Sequence, residues 1–208
     1  MSIPAKCLAL AGVTCFLAGH VMAAELQSQT VRAWKQYVRF TEERIARDLK
    51  DVDSSFISEA ISSNKIVVSN LETLDETGKK IPVPKGMIHH WRGAVLIPKV
   101  LLEPALPVIR NPLNRADYYE DVLESGLIEK REDAELIYLK LRRSQAMVEV
   151  AYNTEHQVDY QWHSETFTSS RSIATRIAEI VDLGKDTEHE KPEGNDRGFL
   201  WRLNAYWK

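Results

Sequence analysis

The sequence predicts an α+β protein in which an amphipathic helix precedes a curved antiparallel sheet. Three observations predict it. Thr30 to Val52 carries apolar side chains at helical spacing. From Ser125 onward the chain breaks into short segments that alternate apolar and polar residues, separated by polar turns. Helical signals are confined to the part before Val122, and runs of strands joined by short turns favour antiparallel pairing.

The first two dozen residues predict an export signal. Lys6 supplies a positive n-region, Cys7 to Ala18 is a mostly apolar h-region, and Val21-Met22-Ala23 places small side chains for cleavage before Ala24. The apolar run is well short of the roughly 20 residues a membrane span needs, and His20 interrupts it. Gly12-Val13-Thr14 before Cys15 does not suit a lipoprotein signal. The mature chain is expected to be soluble, and periplasmic or secreted. Cys7 and Cys15 both lie in the segment to be removed, so no disulfide and no cysteine ligand is expected afterwards.

In Thr30 to Val52, the residues Val31, Trp34, Val38, Ile45, Leu49 and Val52 form the apolar stripe, and Glu43 stands four residues before Arg47. Asp53-Ser54-Ser55 ends this helix or caps a short successor through Ile61. Lys65 to Leu71 is β-branched and predicts a strand. Asp75-Glu76-Thr77-Gly78 predicts a turn, and Pro82 and Pro84 mark the return from it as a sheet edge. Ile88 to Pro98 alternates over its whole length and is expected to be the strand around which one sheet is built. Val100 to Ile109 predicts a short helix with its leucines inward, cut or bent by Pro104 and Pro107. Ser125 to Glu129, Glu135 to Arg143, Met147 to Thr154, Val158 to Trp162, Thr175 to Val181 and Phe199 to Trp207 predict strands. Between them lie a charged turn at Lys130 to Ala134, a bend at Asn153 to Gln157 and a polar loop at Gly184 to Arg197.

The balance of 27 basic and 30 acidic residues, without a basic run, argues against nucleic acid as a partner. His89 and His90 are adjacent on a strand and point to opposite faces, so they do not share a metal. His156, His163 and His189 are scattered, and no metal site is expected. No Gly-x-Ser-x-Gly elbow, mature cysteine or glycine-rich phosphate loop is present, so no cofactor is expected and catalysis is disfavoured. Of Arg92, Arg171, Arg176 and Arg202, three stand in expected strands with apolar neighbours, where unpaired guanidinium groups are costly. Two readings stay open: an arginine–carboxylate ladder on the outer face, or one or two arginines holding the polar end of an amphipathic ligand in a cavity.

Gly86-Met87-Ile88-His89-His90-Trp91-Arg92-Gly93-Ala94-Val95 and Gly198-Phe199-Leu200-Trp201-Arg202-Leu203-Asn204-Ala205-Tyr206-Trp207 resemble a group of exported bacterial START-like proteins. These belong to the SRPBCC (polyketide cyclase/lipid-transfer) superfamily. Arg171 with Thr175-Arg176-Ile177-Ala178-Glu179, and Tyr118-Tyr119 with Val122 and Ser125, are similar to that group's pattern. The resemblance covers roughly Val83 to Lys208 and implies the helix-grip fold, a bent antiparallel sheet around a helix with an apolar cavity between them. It divides the chain into a signal peptide (1–23), an N-terminal helical extension (24–64) and a START-like domain (65–208). Family members continue past the segment resembling Phe199 to Trp207 into more sheet and the gripping helix. This domain is therefore expected to be shortened, without that helix and with an open sheet edge suited to self-association.

The resemblance implies a non-catalytic carrier of a lipid or other hydrophobic small molecule, with transient membrane contact. The alternatives are a cyclase or hydrolase on the same fold, and an interaction protein using the open edge. Arg92, Arg176, Trp91, Tyr138, Trp201 and Arg202 are the expected ligand-binding residues, with no catalytic residue to carry over.

Overall fold

The structure is a computed structural model that describes residues 26–49, 55–113, 115–145 and 148–208. The expected signal peptide and the Asp53-Ser54 part of the expected cap lie outside the described residues. In chain order the elements are α1 (Ser28–Asp48), α2 (Ser55–Ser63), β1 (Val67–Leu71), β2 (His90–Ala94), α3 (Leu102–Arg110), α4 (Arg115–Tyr118), β3 (Val122–Lys130), β4 (Ala134–Gln145), β5 (Val148–Ser164), β6 (Phe167–Val181), β7 (His189–Glu190) and β8 (Asn204–Trp207).

The architecture is α+β, with a curled antiparallel sheet in the order β3-β4-β5-β6-β7. β8 adds to β6 at Ser170 to Ile173, and β7 adds to the same strand at Ile180 and Val181. β5 runs for 17 residues and β6 for 15, far beyond the usual strand length, and right-handed twist accumulated over such strands curls the sheet. This sheet is not built on the segment expected to organise it. β2 spans only His90–Ala94 and pairs with β1 in a separate two-stranded sheet. Pro98 and Lys99 (φ 62°) turn the chain away soon after it.

The expected bend at Asn153 to Gln157 is absent, because β5 passes straight through it. Irregularity falls instead on β6, where Thr175 is the extra residue between the pairs Glu155–Arg176 and His156–Ala174. Thr154 and His156 gave the stretch its turn-like polarity, yet both are buried against the sheet. The last strand is likewise shorter than expected, since only Asn204–Trp207 pairs.

Register divides the large sheet into two faces. Ile137, Leu139 and Leu141 on β4 share one face with Tyr152, Thr154, His156 and Val158 on β5 and with Glu179 on β6. Ile137, Thr154 and Glu179 are the most deeply buried side chains of this apolar face. The other face carries Tyr138, Lys140, Asn153, Glu155 and Arg176.

Glu179 is a carboxylate with no solvent exposure. It accepts hydrogen bonds from the Arg197 backbone N–H (2.6 Å), Arg197 Nε (2.5 Å) and Lys191 Nζ (2.8 Å). Burial alone would raise its pKa, but the Arg197 N–H, Lys191 and the Arg197 side chain outweigh that and hold it below the ordinary value. Lys191 N–H also donates to the Glu179 carbonyl. Through these bonds the polar chain after β7 is fastened to the apolar face of β6.

α1 is oriented differently from its sequence stripe. Its buried residues are Thr30, Ala33, Tyr37 and Thr41, while Arg39 rather than Arg47 is the cation nearest Glu43 (3.9 Å). This narrow side lets residues 81–88 approach closely: Ile81, Val83 and Ile88 pack on Ala33 and Tyr37. Thr30 Oγ1 donates to the Pro84 carbonyl at 2.5 Å. A Cβ on Gly86 would lie 2.7 Å from Thr30 Cγ2, so that position requires glycine for space. α1 reaches the large sheet through Glu42, which pairs with Arg171 (2.8 Å) and accepts from the Tyr206 hydroxyl (2.9 Å). Arg171 is in register with Asp159 on the polar face, so this contact of α1 is with that face.

Removing the charge of Glu179 leaves two cations without their buried partner. Glu179→Gln is expected to lower stability in urea by about 3–5 kcal/mol. A carboxyl whose folded pKa is depressed stabilises above its unfolded pKa, near 4.5 here, and loses that contribution as pH falls through the folded value. The wild type should therefore lose stability more steeply than Glu179→Gln below pH 4.5. Unchanged urea midpoints and parallel acid limbs would contradict the clamp.

Candidate functional site

The apolar face of the large sheet leaves a pocket of about 550 Å³ under α3. α3 starts with Pro104 in its first turn, where a missing N–H costs nothing, while Pro107 lies in its interior. Leu106, Pro107 and Arg110 of α3 form one wall, and Glu135, Tyr160 and Trp162 of the sheet form the other. Lys130, Arg131 and Glu132, at the end of β3 and in the turn to β4, stand at its rim. A volume of this order suits a small organic guest.

Glu103 and Asn111 also line the pocket, and the polar groups that lie against the sheet are fixed. Arg110 lies over the Tyr160 ring at 4.1 Å and over Trp162 at 5.3 Å, and its Nη2 donates to Thr168 Oγ1 at 3.2 Å. Among the described residues it has no carboxylate at ion-pair distance. The Tyr160 hydroxyl donates to Glu135 Oε2 at 2.9 Å. Burial first, and then the Glu135 carboxylate, push the Tyr160 pKa up to about 12, so it remains a donor at neutral pH.

Deeper on the same face, Thr154 Oγ1 donates to the Leu139 carbonyl at 2.9 Å. That oxygen therefore accepts from His156 Nε2–H, 2.9 Å away, leaving Nδ1 to accept from Ser172 Oγ at 3.4 Å. His156 is held as the neutral ring, with its pKa lowered to about 4 by burial first and then by the charge of Arg115. Arg115 presents a buried Nε that has no hydrogen-bond partner among the described residues.

None of the six residues expected from the sequence lines this pocket. Trp91 and Arg92 are on β2, where Trp91 is exposed and Arg92 lies 3.9 Å over the Phe56 ring. Tyr138 and Arg176 meet on the polar face. Tyr138 donates to Asn153 Oδ1 (2.7 Å), Asn153 Nδ2 donates to Glu190 Oε1 (2.8 Å), and Glu190 is ion-paired with Arg176. Glu155 lies 3.9 Å from the same guanidinium, so Arg176 stands in an arginine–carboxylate ladder. Trp201 Nε1 donates to Asp196 Oδ1 (2.8 Å), and exposed Arg202 bonds the Trp201 carbonyl.

Sequence reasoning missed Arg110 and Glu135. Glu135 left a signal: it is in phase with Ile137, Leu139 and Leu141, a carboxylate where the alternation places apolar side chains. Arg110 left none, because its role depends on α3 bringing it over Tyr160 and Trp162 of β5.

Among the described residues no group of three or more His, Cys, Asp or Glu side chains is placed to hold a metal ion. Comparison with family models, with curated proteins and with solved structures finds no match to this chain.

A histidine kept neutral by the fold opposes protonation until its depressed pKa is reached, while the unfolded chain takes up its proton near pH 6.5. Stability is therefore expected to fall between pH 6.5 and pH 4, by on the order of 3 kcal/mol, and His156→Gln should flatten that interval. Urea titrations at pH 7, 5.5 and 4.5 test this. An equal slope in the two proteins would show that His156 is not the titrating group.

Proposed function

We propose that this chain is an exported START-like binding protein, without catalytic function, for a hydrophobic molecule that carries an anionic end. The observation that carries the reading is Arg110, a guanidinium without a carboxylate at ion-pair distance among the described residues, stacked on Tyr160 and Trp162 in a pocket whose apolar wall is Leu106 and Pro107. A guanidinium over aromatic faces is a ready site for a carboxylate or phosphate, and its planar fork can bind either with two parallel bonds. Leu106, Pro107 and Trp162 would take the apolar body, with burial supplying affinity at about 25 cal/mol per Å² before ordering costs.

The curled antiparallel sheet supports the START-like assignment, because that fold places its guest against one face of such a sheet. The engaged state of His156 supports a carrier over an enzyme: both ring nitrogens are satisfied and its pKa lies far below neutrality. Export rests on residues 1–23, and among the described residues no helix is long and apolar enough to cross a membrane.

Oleate and oleyl alcohol, which differ in the anionic end, test the reading by competition with a fluorescent fatty acid. The wild type should bind oleate better, Arg110→Gln should lose roughly tenfold for oleate and little for the alcohol, and Leu106→Trp should weaken both by filling the pocket. Failure of the wild type to bind either, or equal binding by Leu106→Trp, would refute it. N-terminal sequencing of protein recovered from the cell envelope should begin at Ala24. A start at Met1 would contradict cleavage.

A further inference from the structure

Among the described residues, the two-stranded sheet is covered on one side only. On one face, His90 meets Tyr37 of α1 (2.7 Å from Nδ1 to the hydroxyl) and Arg92 lies over Phe56 of α2. The opposite face is set by the pairs Val68–Gly93 and Asn70–Trp91. Val68 is 60% exposed there and Trp91 64%. Ile66 (73%) and Val95 (55%), next to the ends of β1 and β2, are exposed as well, and the chain on either side of β2 exposes Met87 and Ile97. Apolar side chains gathered and exposed in this way mark a surface that meets something else.

The charge around this surface says what. From Thr77 to Leu102 the chain has five cations, Lys79, Lys80, Lys85, Arg92 and Lys99, and no carboxylate, in a protein whose formal charge is −3. Lys65, Lys85 and Lys99 are exposed, make no ion pair among the described residues, and each stands within two residues of Ile66, Met87 or Ile97. Long cationic side chains beside exposed apolar ones, with a tryptophan among them, suit the boundary where lipid phosphates overlie acyl chains. A second copy of the same surface fits poorly, because a symmetric pair would set the lysines of one against those of the other.

We infer that the exposed face of β1 and β2, with Met87, Ile97 and the lysines that flank them, is a docking surface for an anionic lipid bilayer. Trp91, Val95 and Ile97 enter the interface, and Lys65, Lys85 and Lys99 lie at the level of the phosphates. Docking at this face is independent of any guest under α3, which none of these residues lines.

Flotation of the full chain with phosphatidylcholine vesicles, with and without 30% phosphatidylglycerol (a test composition on the order used for anionic membranes), decides it. Binding is expected to the anionic vesicles, and to weaken in high salt. Trp91→Ser with Ile97→Ser, and separately Lys85→Glu with Lys99→Glu, should each lower partitioning roughly tenfold or more. These positions are exposed, so thermal unfolding should stay unchanged, and residues 1–25 are common to all the proteins compared. Either double variant floating like the wild type would overturn the inference. So would failure of the wild type to bind anionic vesicles, or a wild-type dimer that Trp91→Ser with Ile97→Ser turns into a monomer.

Discussion

A carboxylate buried without solvent has to be surrounded by donors, and Glu179 obtains them from a part of the chain that would otherwise have little reason to stay. Arg197 and Lys191 belong to a loop of glycine, proline and charge, poor in apolar side chains. Their bonds to Glu179 hold that loop on β6. Arg197 Nη2 also donates to the Glu149 carbonyl, Asp196 accepts from Trp201, and Ala174 N–H donates to the Leu203 carbonyl. The chain is thereby delivered to β8, whose Tyr206 reaches Glu42. One charged contact thus begins a path from the sheet interior to α1.

The two faces of the sheet treat their charges differently, and that difference separates structure from site. On the polar face Arg176 has Glu190 and Glu155, Lys140 has Glu188 (2.7 Å) and Glu124 (3.0 Å), and Arg171 has Glu42. Those pairs are partly open to water, Lys140 least so, and every cation among them has a carboxylate partner. On the apolar face Arg110 rests on aromatic rings without a carboxylate, and Arg115 keeps a buried Nε unpartnered among the described residues. Unmet hydrogen-bonding capacity in a low-dielectric setting is where an anionic guest gains most. The proposed carrier function follows from that asymmetry.

Local signals in the sequence carried a good part of the fold. The turn at Asp75 to Gly78 is as expected, with Asp75 Oδ1 accepting from the N–H groups of Thr77 and Lys79 and Gly78 at φ 81°. The helix before Arg110 and the alternating strand after Ala134 are also where periodicity places them. What periodicity could not carry was partnership. Ile88 to Pro98 alternates as a central strand does, but its apolar phase is the exposed one, and the covered phase holds His90 and Arg92. In α1 the apolar stripe and the buried stripe differ, because close approach of residues 81–88 selects Thr30 and Ala33 for size and Tyr37 for its hydroxyl. Arg110 has its role only because the fold sets it over Tyr160 and Trp162, a tertiary fact without local trace.

The central claim is that the face of the sheet beneath α3, and not the polar face with Tyr138 and Arg176, receives the guest. Hydrogen exchange of the full chain with and without saturating oleate tests this most directly. The account predicts added protection at α3 (Leu102–Arg110), at residues 130–135 and around Tyr160, with the exchange of residues 188–190 unchanged. Protection centred on residues 188–190, or oleate binding that leaves α3 exchanging as before, would contradict it.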